Sequence, residues 1–338
     1  MSRVVVVTGA SAGVGRAAAR AFADDGWDVA LIARGDAGLE AAAQEVRAMG
    51  RRALAVTADV ADAEAVEAAA ERIEAELGPI DVWVNDAMES VFAPADRIDP
   101  AEYRRVTEVN YLGYVYGTLA ALKRMRARDR GVIIQVGSAL AYRSIPLQAP
   151  YCASKHAIVG FTDSLRCELV HDRSHVRLTA VHLPALNTPQ FSWVRSRLPE
   201  KAQPVPPIFE PEVAARAILH MAKHPRRELI VGWSTMLAVW GQKVAPGLMD
   251  WYLGRTGYGA QQSGEPRPPR PDNLDAPVDR ARDFGAHGAF DRRARSWSPI
   301  LELSLHRGAA LVGVAALTAT SLIAARTLRS QASRLPWS

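Results

Sequence analysis

Cysteine is scarce in this sequence, with Cys152 and Cys167 the only two among 338 residues. Two cysteines cannot supply a disulfide framework or a four-ligand zinc site. If both lie on one helix, they are about 22 Å apart, far beyond the reach of a disulfide. We therefore interpret both as reduced thiols, which is typical of a cytoplasmic protein, and predict no metal site.

An excess of one charge sign is also lacking over most of the chain. Lys and Arg number 41 and Asp and Glu number 36, and residues 261–338 hold 11 of the basic and 7 of the acidic residues. The part before residue 261 is therefore close to neutral, which argues against a nucleic-acid partner. Nor does a long apolar stretch open the chain, so no secretory signal is predicted.

What the sequence has is a regular alternation of short apolar runs and longer Ala- and Glu-rich stretches. The apolar runs predict strands at 4–7, 28–32, 53–57, 82–84, 131–136, 176–182 and 229–231. The longer stretches predict helices at 16–25, 37–49, 61–77, 101–128, 151–170 and 212–220. Alternating strands and helices form right-handed crossovers. The predicted fold class is α/β, a Rossmann-like, doubly wound parallel sheet in a three-layer αβα arrangement, with a C-terminal arm and a terminal helix.

The turn between the first predicted strand and helix is rich in glycine, with the sequence TGASAGVG at 8–15. Glycine lets the backbone approach a phosphate closely, and the free N–H groups of a helix N-terminus attract its charge. An ordinary glycine-rich turn is the alternative interpretation. Because the turn lies between a strand and a helix, we favour a dinucleotide-binding site.

Tyr151 and Lys155 are four residues apart on one predicted helix, so their side chains share a face. A tyrosine with its ordinary pKa of about 10 is a poor base at neutral pH, and a nearby ammonium group favours the phenolate. Such a tyrosine can donate a proton to a carbonyl oxygen or remove one from an alcohol. A pair of surface residues is the alternative, but Ser138 and Asn110 accompany the pair and favour the catalytic interpretation.

These motifs together resemble the short-chain dehydrogenase/reductase family over about residues 1–235. The resemblance implies a nicotinamide-dependent oxidoreductase. It rests on T-G-x-x-x-G-x-G at 8–15, Asp59 after the third strand, N-D-A-M at 85–88, Asn110, Ser138 and Y-C-A-S-K at 151–155.

The resemblance also implies roles for the four predicted catalytic residues. Tyr151 is the general acid or base, and Lys155 also binds the nicotinamide ribose. Ser138 hydrogen-bonds the substrate oxygen, and Asn110 places a water molecule that relays protons. Asp86 and Met88 depart from the family, which usually has Asn and Gly there, so cofactor affinity or the width of the site can differ.

The end of the second strand predicts the type of cofactor. An acidic residue there would bind a ribose 2′-hydroxyl and repel a 2′-phosphate, but the strand ends in Ala33 and Arg34. Arg34 can pair with a phosphate, so we favour NADP over NAD; a solvated surface arginine is the alternative. The predicted cofactor-binding residues are Thr8, Gly9, Ser11, Gly13, Val14, Gly15, Arg34, Asp59, Val60, Asn85, Ala87, Tyr151, Lys155 and Thr188.

The predicted oxidoreductase domain covers residues 1–260 and includes an apolar region, 190–253, placed to cover the substrate. A proline-rich surface loop is the alternative for its first part, 190–209. The second part, 234–253, is rich in Trp, Leu and Met and can cover the site, pair subunits or touch lipid. We favour a cover over the site or packing between subunits for this second part. We also expect a homo-oligomer.

The remaining chain is predicted to lie outside the catalytic core. Residues 261–300 are rich in Pro, Arg and Asp, which indicates a linker or extended arm. An apolar helix is predicted at 301–326. Its uncharged run, 308–325, is flanked by arginines and suits either a membrane anchor or a helix packed on protein. The expected location is a cytoplasmic catalytic domain, with a C-terminal anchor under the first interpretation.

The sequence thus predicts an oxidoreductase that moves hydride between NADP(H) and a carbonyl or alcohol carbon of a lipophilic small molecule. Tyr151 is its general acid or base. The alternative is an NADP(H)-binding scaffold or redox sensor without turnover, for which Asp86 and Met88 are the only support.

Overall fold

The computed structural model describes residues 2–307. Its strands are, in chain order, β1 (Val4–Thr8), β2 (Asp28–Ala33), β3 (Ala53–Thr57), β4 (Ile80–Asn85), β5 (Val91–Phe92), β6 (Val132–Ser138), β7 (Arg177–Leu183), β8 (Ala185–Leu186), β9 (Arg195–Ser196), β10 (Glu200–Ala202), β11 (Ile208–Phe209), β12 (Glu228–Ile230), β13 (Gln262–Pro266) and β14 (Ala294–Arg295). Its helices are α1 (Gly13–Asp24), α2 (Asp36–Ala48), α3 (Ala63–Leu77), α4 (Pro100–Thr107), α5 (Gly113–Arg128), α6 (Ala149–His171), α7 (Gln190–Trp193), α8 (Pro211–Lys223), α9 (Trp233–Val244), α10 (Pro246–Ala260) and α11 (Pro299–Leu305).

The central sheet has the strand order β12-β7-β6-β4-β1-β2-β3, and all its neighbouring strands run parallel. The chain builds outward from β1 to β3 and then returns to the other side of β1 with β4. The predicted doubly wound fold is therefore confirmed. A crevice opens at the carboxyl ends of β1 and β4, where such sheets bind their ligands.

The four valines of β1 explain why the sheet is covered on both faces. Val5 and Val7 pack in one buried cluster with α1, α2 and α8, whereas Val4 and Val6 pack in the other with α3, α5 and α6. Alternate side chains of a strand point to opposite faces, and a continuous apolar run is typical of a strand buried on both. The three-layer arrangement follows from this pattern.

The single helix predicted at 101–128 is wrong in one respect. A π-helical segment, Glu108–Leu112, separates α4 from α5, and the helical run itself begins with a capping box formed by Asp99 and Glu102. Apolar residues continue at helical spacing through the interruption, so the sequence gives no sign of it. Asn110 lies in this segment and is fully buried, and π-helical turns often occur at functional sites.

The segment after α10, here called the C-terminal arm (residues 261–298), is folded against the domain. Its β13 pairs with β10 and its β14 with β11, and the side chains of Leu274, Ala286 and Ser298 are buried. The expectation that this segment stands apart from the folded core is wrong. Its carboxylates dock on distant arginines, since Asp283 pairs with Arg16 of α1.

We expect the substitution Asp283→Asn to loosen the C-terminal arm. Burial raises the pKa of Asp283, but the hydrogen bond from Arg16 outweighs this and holds the pKa below its ordinary value. A partly exposed pair of this kind contributes about 1 kcal/mol at most, so arm opening should rise by up to about fivefold. Limited trypsin cleavage measures it, with Asp96→Asn, an exposed acid, as the control. An unchanged cleavage rate would contradict the docking role.

Among residues 2–307, no helix combines the length and apolar content that a bilayer crossing requires. The run 308–325, interpreted from the sequence as a membrane anchor or a packed helix, lies outside the described residues. Of the terminal helix predicted at 301–326, α11 includes the first residues, and Leu301 is buried.

Candidate active site

The crevice at the carboxyl ends of the central strands contains a cavity of about 430 Å³. The predicted site residues that line it are Gly9, Ser11, Gly13, Val14, Ala87, Ser138, Tyr151, Lys155 and Thr188. A second pocket of about 80 Å³ adjoins it. The predicted residues that line this one are Gly9, Ser11, Arg34, Asp59, Val60 and Ala87. The fold therefore brings most of the predicted residues together at one groove.

The glycine turn forms one wall of the groove. At Gly9 and Gly13 no side chain covers the backbone there. Gly9 and Gly13 both have positive φ, at 70° and 57°, which favours glycine. A Cβ atom on Gly15 would lie 2.5 Å from the carbonyl oxygen of Gly9. Thr8 fixes the turn to β4, because its hydroxyl accepts the N–H groups of Asp86 and Ala87. The cradle at the start of α1 fits the phosphates of a dinucleotide.

Lys155 lines the cavity but is buried, with only 3% of its surface exposed. Its Nζ donates to the Tyr114 hydroxyl and to the Val136 carbonyl oxygen, both at 2.9 Å, and it lies 5.7 Å from the centre of the Tyr151 ring. Sequence reasoning missed Tyr114. Its position four residues after Asn110 on one helical run was the available signal.

Tyr151 keeps its proton in this arrangement. Burial raises its pKa above the ordinary range, hydrogen bonding with Ser138 opposes this only in part, and the carboxylate of Asp86 adds to the rise. That Lys155 favours the phenolate stays a prediction, in which the positive charge of an oxidised nicotinamide acts together with the ammonium group. A phenol that holds its proton at neutral pH is suited to act as an acid.

Asn110 and Asn85 both lie behind the groove rather than along it. The amide of Asn110 donates to the Glu89 carbonyl oxygen and to Ser154, and it accepts the Glu89 N–H. Asn85, predicted to bind cofactor, lines neither pocket. Its amide forms hydrogen bonds inside the fold with Trp83, Tyr114, Thr118 and Gln135. Asn85 therefore supports the structure behind the site.

Asp86, which departs from the family pattern, lines the large cavity beside Lys155. Burial raises the pKa of Asp86, and the charge of Lys155 opposes the rise. Burial conversely lowers the pKa of Lys155, and the charge of Asp86 opposes that fall. The two groups therefore stabilise each other in their charged forms.

We expect Asp86→Asn to move the alkaline limb of the pH profile for reduction to lower pH. Above neutrality Asp86 is ionised, and its charge raises the pKa of both Tyr151 and Lys155. Loss of that charge lets Tyr151 lose its proton at lower pH. The measurement is kcat/KM against pH, with Met88→Leu as an uncharged control in the same loop. An alkaline limb of Asp86→Asn at the same pH as that of the wild type would contradict this expectation.

The pocket of about 80 Å³ lies at the end of β2. Arg34 does not point into solvent there: it donates to Glu89 and to the carbonyl oxygens of Asn273 and Leu274 in the C-terminal arm. Asp59 is held by Arg105 at 2.6 Å. The arm thus forms one side of this pocket, which the sequence did not predict.

The far end of the large cavity is lined by apolar side chains. Those from the predicted covering region include Phe191, Trp193 and Leu253, and others come from the loop after β6, with Leu140 and Ile145. The outer faces of α9 and α10 remain exposed at several large apolar side chains: Trp233, Leu237, Trp240, Val244, Leu248 and Trp251. The apolar region therefore borders the cavity beside Tyr151.

Known short-chain dehydrogenases and oxidoreductases are similar in sequence to much of this chain. The family model for short chain dehydrogenases matches residues 3–198. An uncharacterized oxidoreductase of Bacillus subtilis, YxnA, is 34% identical over 270 residues, which is 79% of this chain and 76% of the relative. The cis-4-hydroxycyclohexanecarboxylate dehydrogenase of Sinomonas cyclohexanicum is 34% identical over 227 residues, 65% of this chain and 89% of that protein.

Two solved structures are each similar over 68% of this chain. An alcohol dehydrogenase from Thermococcus sibiricus, complexed with 5-hydroxy-NADP, has a TM-score of 0.59 and 28% identity, covering 68% of this chain and 96% of its own. A metagenomic short-chain oxidoreductase in complex with NADP has a TM-score of 0.57 and 29% identity, covering 68% of this chain and 95% of its own.

Proposed function

Because the chain belongs to the short-chain dehydrogenase family, we propose that it is an NADP-dependent enzyme that interconverts a carbonyl group and an alcohol. The observation that carries this proposal is the meeting of Tyr151, Ser138 and Lys155 in one cavity, at the end of the glycine turn. An isolated tyrosine and lysine on a helix surface would carry little weight. Here Lys155 is buried and both side chains border the same space.

Each of these side chains has a role that follows from its contacts. The phenol of Tyr151, which holds its proton, donates it to the carbonyl oxygen of the substrate during reduction. The Ser138 hydroxyl orients that oxygen. Lys155, fixed by Tyr114 and the Val136 carbonyl, supplies a positive charge behind the phenol as the proton leaves. A bound nicotinamide supplies or accepts the hydride.

NADP is the proposed cofactor for two reasons. Strand β2 ends without a carboxylate of its own and is followed by Arg34, a residue type that pairs with phosphate. The similar solved proteins were bound to NADP or 5-hydroxy-NADP. Ser11 and Arg34 line the pocket at the end of β2 and would hold the 2′-phosphate.

The substrate proposed is a lipophilic ketone or secondary alcohol. The cavity beside Tyr151 is bordered by Phe191, Trp193, Leu140 and Ile145, and apolar side chains contribute most of the binding energy in such pockets. The relative from Sinomonas is described as acting on a hydroxycyclohexane carboxylate, a secondary alcohol on an apolar ring. That likeness supports the reaction type.

A panel of ketones of increasing apolar size tests this function. The loss of NADPH absorbance should accelerate with apolar ketones, and KM should fall as the apolar group grows. NADPH binding with no turnover on any ketone, and no oxidation of the matching alcohols, would contradict the enzyme and favour the scaffold or redox sensor. Equal rates for polar and apolar ketones would contradict the substrate class alone.

A further inference from the structure

The C-terminal arm runs along the groove that the proposed cofactor would occupy. At one end, the Asn273 and Leu274 carbonyl oxygens accept from Arg34. Farther on, the Gly285 carbonyl oxygen accepts the N–H of Gly13 in the glycine turn, at 3.2 Å. The N–H of Gly288 then donates to the Asn187 carbonyl oxygen beside Thr188. The arm therefore follows the groove from the end of β2 to the large cavity.

Between these contacts, Asp279 places its carboxylate against the start of α2. Its backbone oxygen accepts the N–H of Gly38, at 3.2 Å. A Cβ atom on Gly35 would overlap the Asp279 carboxylate, and one on Gly38 would lie 2.8 Å from its Oδ2 and 3.2 Å from Cβ of Ser11. Glycine at both positions makes room for this side chain.

The Asp279 carboxylate faces a pocket rather than a hydrogen-bonding side chain. The residue is only 6% exposed, it lines the pocket shared by Ser11 and Arg34, and within residues 2–307 its carboxylate makes no hydrogen bond. The partial positive charge at the start of α2 favours an anion at this place.

The end of β2 is where this fold reads the 2′ position of the adenosine ribose. An acidic residue there binds the 2′-hydroxyl, and an arginine there accommodates a 2′-phosphate. Arg34 and Gly35 follow β2 directly, and Asp279 lies against Gly35. The arm thus brings an anion to the place where a 2′-phosphate would sit.

We propose that Asp279 is a specificity-determining residue: its carboxylate occupies the 2′-phosphate position, so a nucleotide with this phosphate binds only after displacing it. The inference rests on the proposed NADP site. The carboxylate and the phosphate cannot share one position, and their like charges repel. A nucleotide with a free 2′-hydroxyl meets no such repulsion. The arm therefore lowers the affinity for the phosphorylated cofactor and must move when it binds.

The test compares 2′,5′-ADP with 5′-AMP as calorimetric probes of the full chain, so no turnover is needed. For Asp279→Asn we expect 2′,5′-ADP to bind at least about tenfold tighter than to wild type, and 5′-AMP to change by less than about twofold. The matched control is Asp275→Asn, an arm residue that pairs with Arg195 and lines neither pocket. It should leave both affinities unchanged.

Three results would overturn the inference. One is an unchanged affinity of Asp279→Asn for 2′,5′-ADP. Another is an equal gain for both nucleotides, and a third is a loss of 5′-AMP binding, which would make Asp279 a ligand of the ribose hydroxyls. All three leave the proposed function intact. Binding of neither nucleotide by any variant would overturn the proposed function together with the inference.

Proteolysis provides a second readout of the movement itself. Arg280 and Arg282 follow Asp279 in the arm and are exposed. Saturating 2′,5′-ADP should increase trypsin cleavage at these residues in wild type, whereas 5′-AMP should not. Equal cleavage with both nucleotides would contradict displacement of the arm by the 2′-phosphate.

Discussion

Replacement of Tyr151 by Phe is expected to lower kcat/KM for ketone reduction by about 10²- to 10⁴-fold, the usual contribution of a positioned acid. The ring remains, so the cavity keeps its shape. What is lost is the proton, which the native tyrosine retains because burial raises its pKa. Water alone would then have to protonate the substrate oxygen.

The measurement is the steady-state rate with a ketone that wild type reduces, together with the dissociation constant of NADPH from fluorescence. The constant should change by less than about twofold, because the hydroxyl acts in the transition state. Tyr103→Phe is the matched control, since that tyrosine is on α4, lines neither pocket, and donates its hydroxyl to the Ala95 carbonyl oxygen. Full activity of Tyr151→Phe would rule out its role as the acid.

The substitution Gly15→Ala is expected to weaken NADPH binding by about 10- to 100-fold. The added Cβ would lie 2.5 Å from the Gly9 carbonyl oxygen and 3.0 Å from Asp86. Backbone atoms cannot yield as a flexible side chain can, so α1 must move away from β1. Overpacking of this kind costs about 1–3 kcal/mol, and here the cost falls on the phosphate cradle.

Gly160→Ala is the control for this variant. Gly160 lies in α6, where an added Cβ meets no atom within 4 Å, so alanine should leave binding unchanged and add helix propensity. Titration of NADPH fluorescence measures both variants, and thermal unfolding confirms that each is folded. If folded Gly15→Ala bound NADPH like wild type, the glycine turn would not be the phosphate cradle.

The sheet could be predicted from the sequence because its strands are short apolar runs between helices. β1 is the simplest case, since four consecutive valines are buried on alternate faces. The π-helical segment around Asn110 could not be predicted, because the helical spacing of apolar residues continues through it. Its position is set by tertiary contacts, above all the bonds between the Asn110 amide and Glu89.

The C-terminal arm shows where composition misleads. Residues rich in Pro, Arg and Asp are typical of linkers, yet this arm docks through pairs such as Asp283 with Arg16, 267 residues apart in the chain. No local pattern identifies such a partner. For the same reason Asp279 could not be predicted, although Tyr151, Lys155 and Ser138 followed from their motifs.

For Asn85 the motif and the hydrogen bonds point to different roles. Its motif position predicts contact with the cofactor, but its amide is fully used by Trp83, Tyr114, Thr118 and Gln135 within the fold. A motif shows that a residue type is needed at a position. It does not distinguish a residue that binds the cofactor from one that supports the fold. The hydrogen bonds decide between the two, since the amide of Asn85 is bonded within the fold and Asn85 lines neither pocket.

Transfer of deuterium tests the central claim most directly. NADPH labelled with deuterium on one face of nicotinamide C4 is incubated with the protein and an accepted ketone, and the alcohol is analysed by mass spectrometry. Direct hydride transfer beside Tyr151 predicts that the label appears at the carbinol carbon from one labelled face and not from the other. Alcohol that carries no label from either face, or equal label from both, would contradict the account.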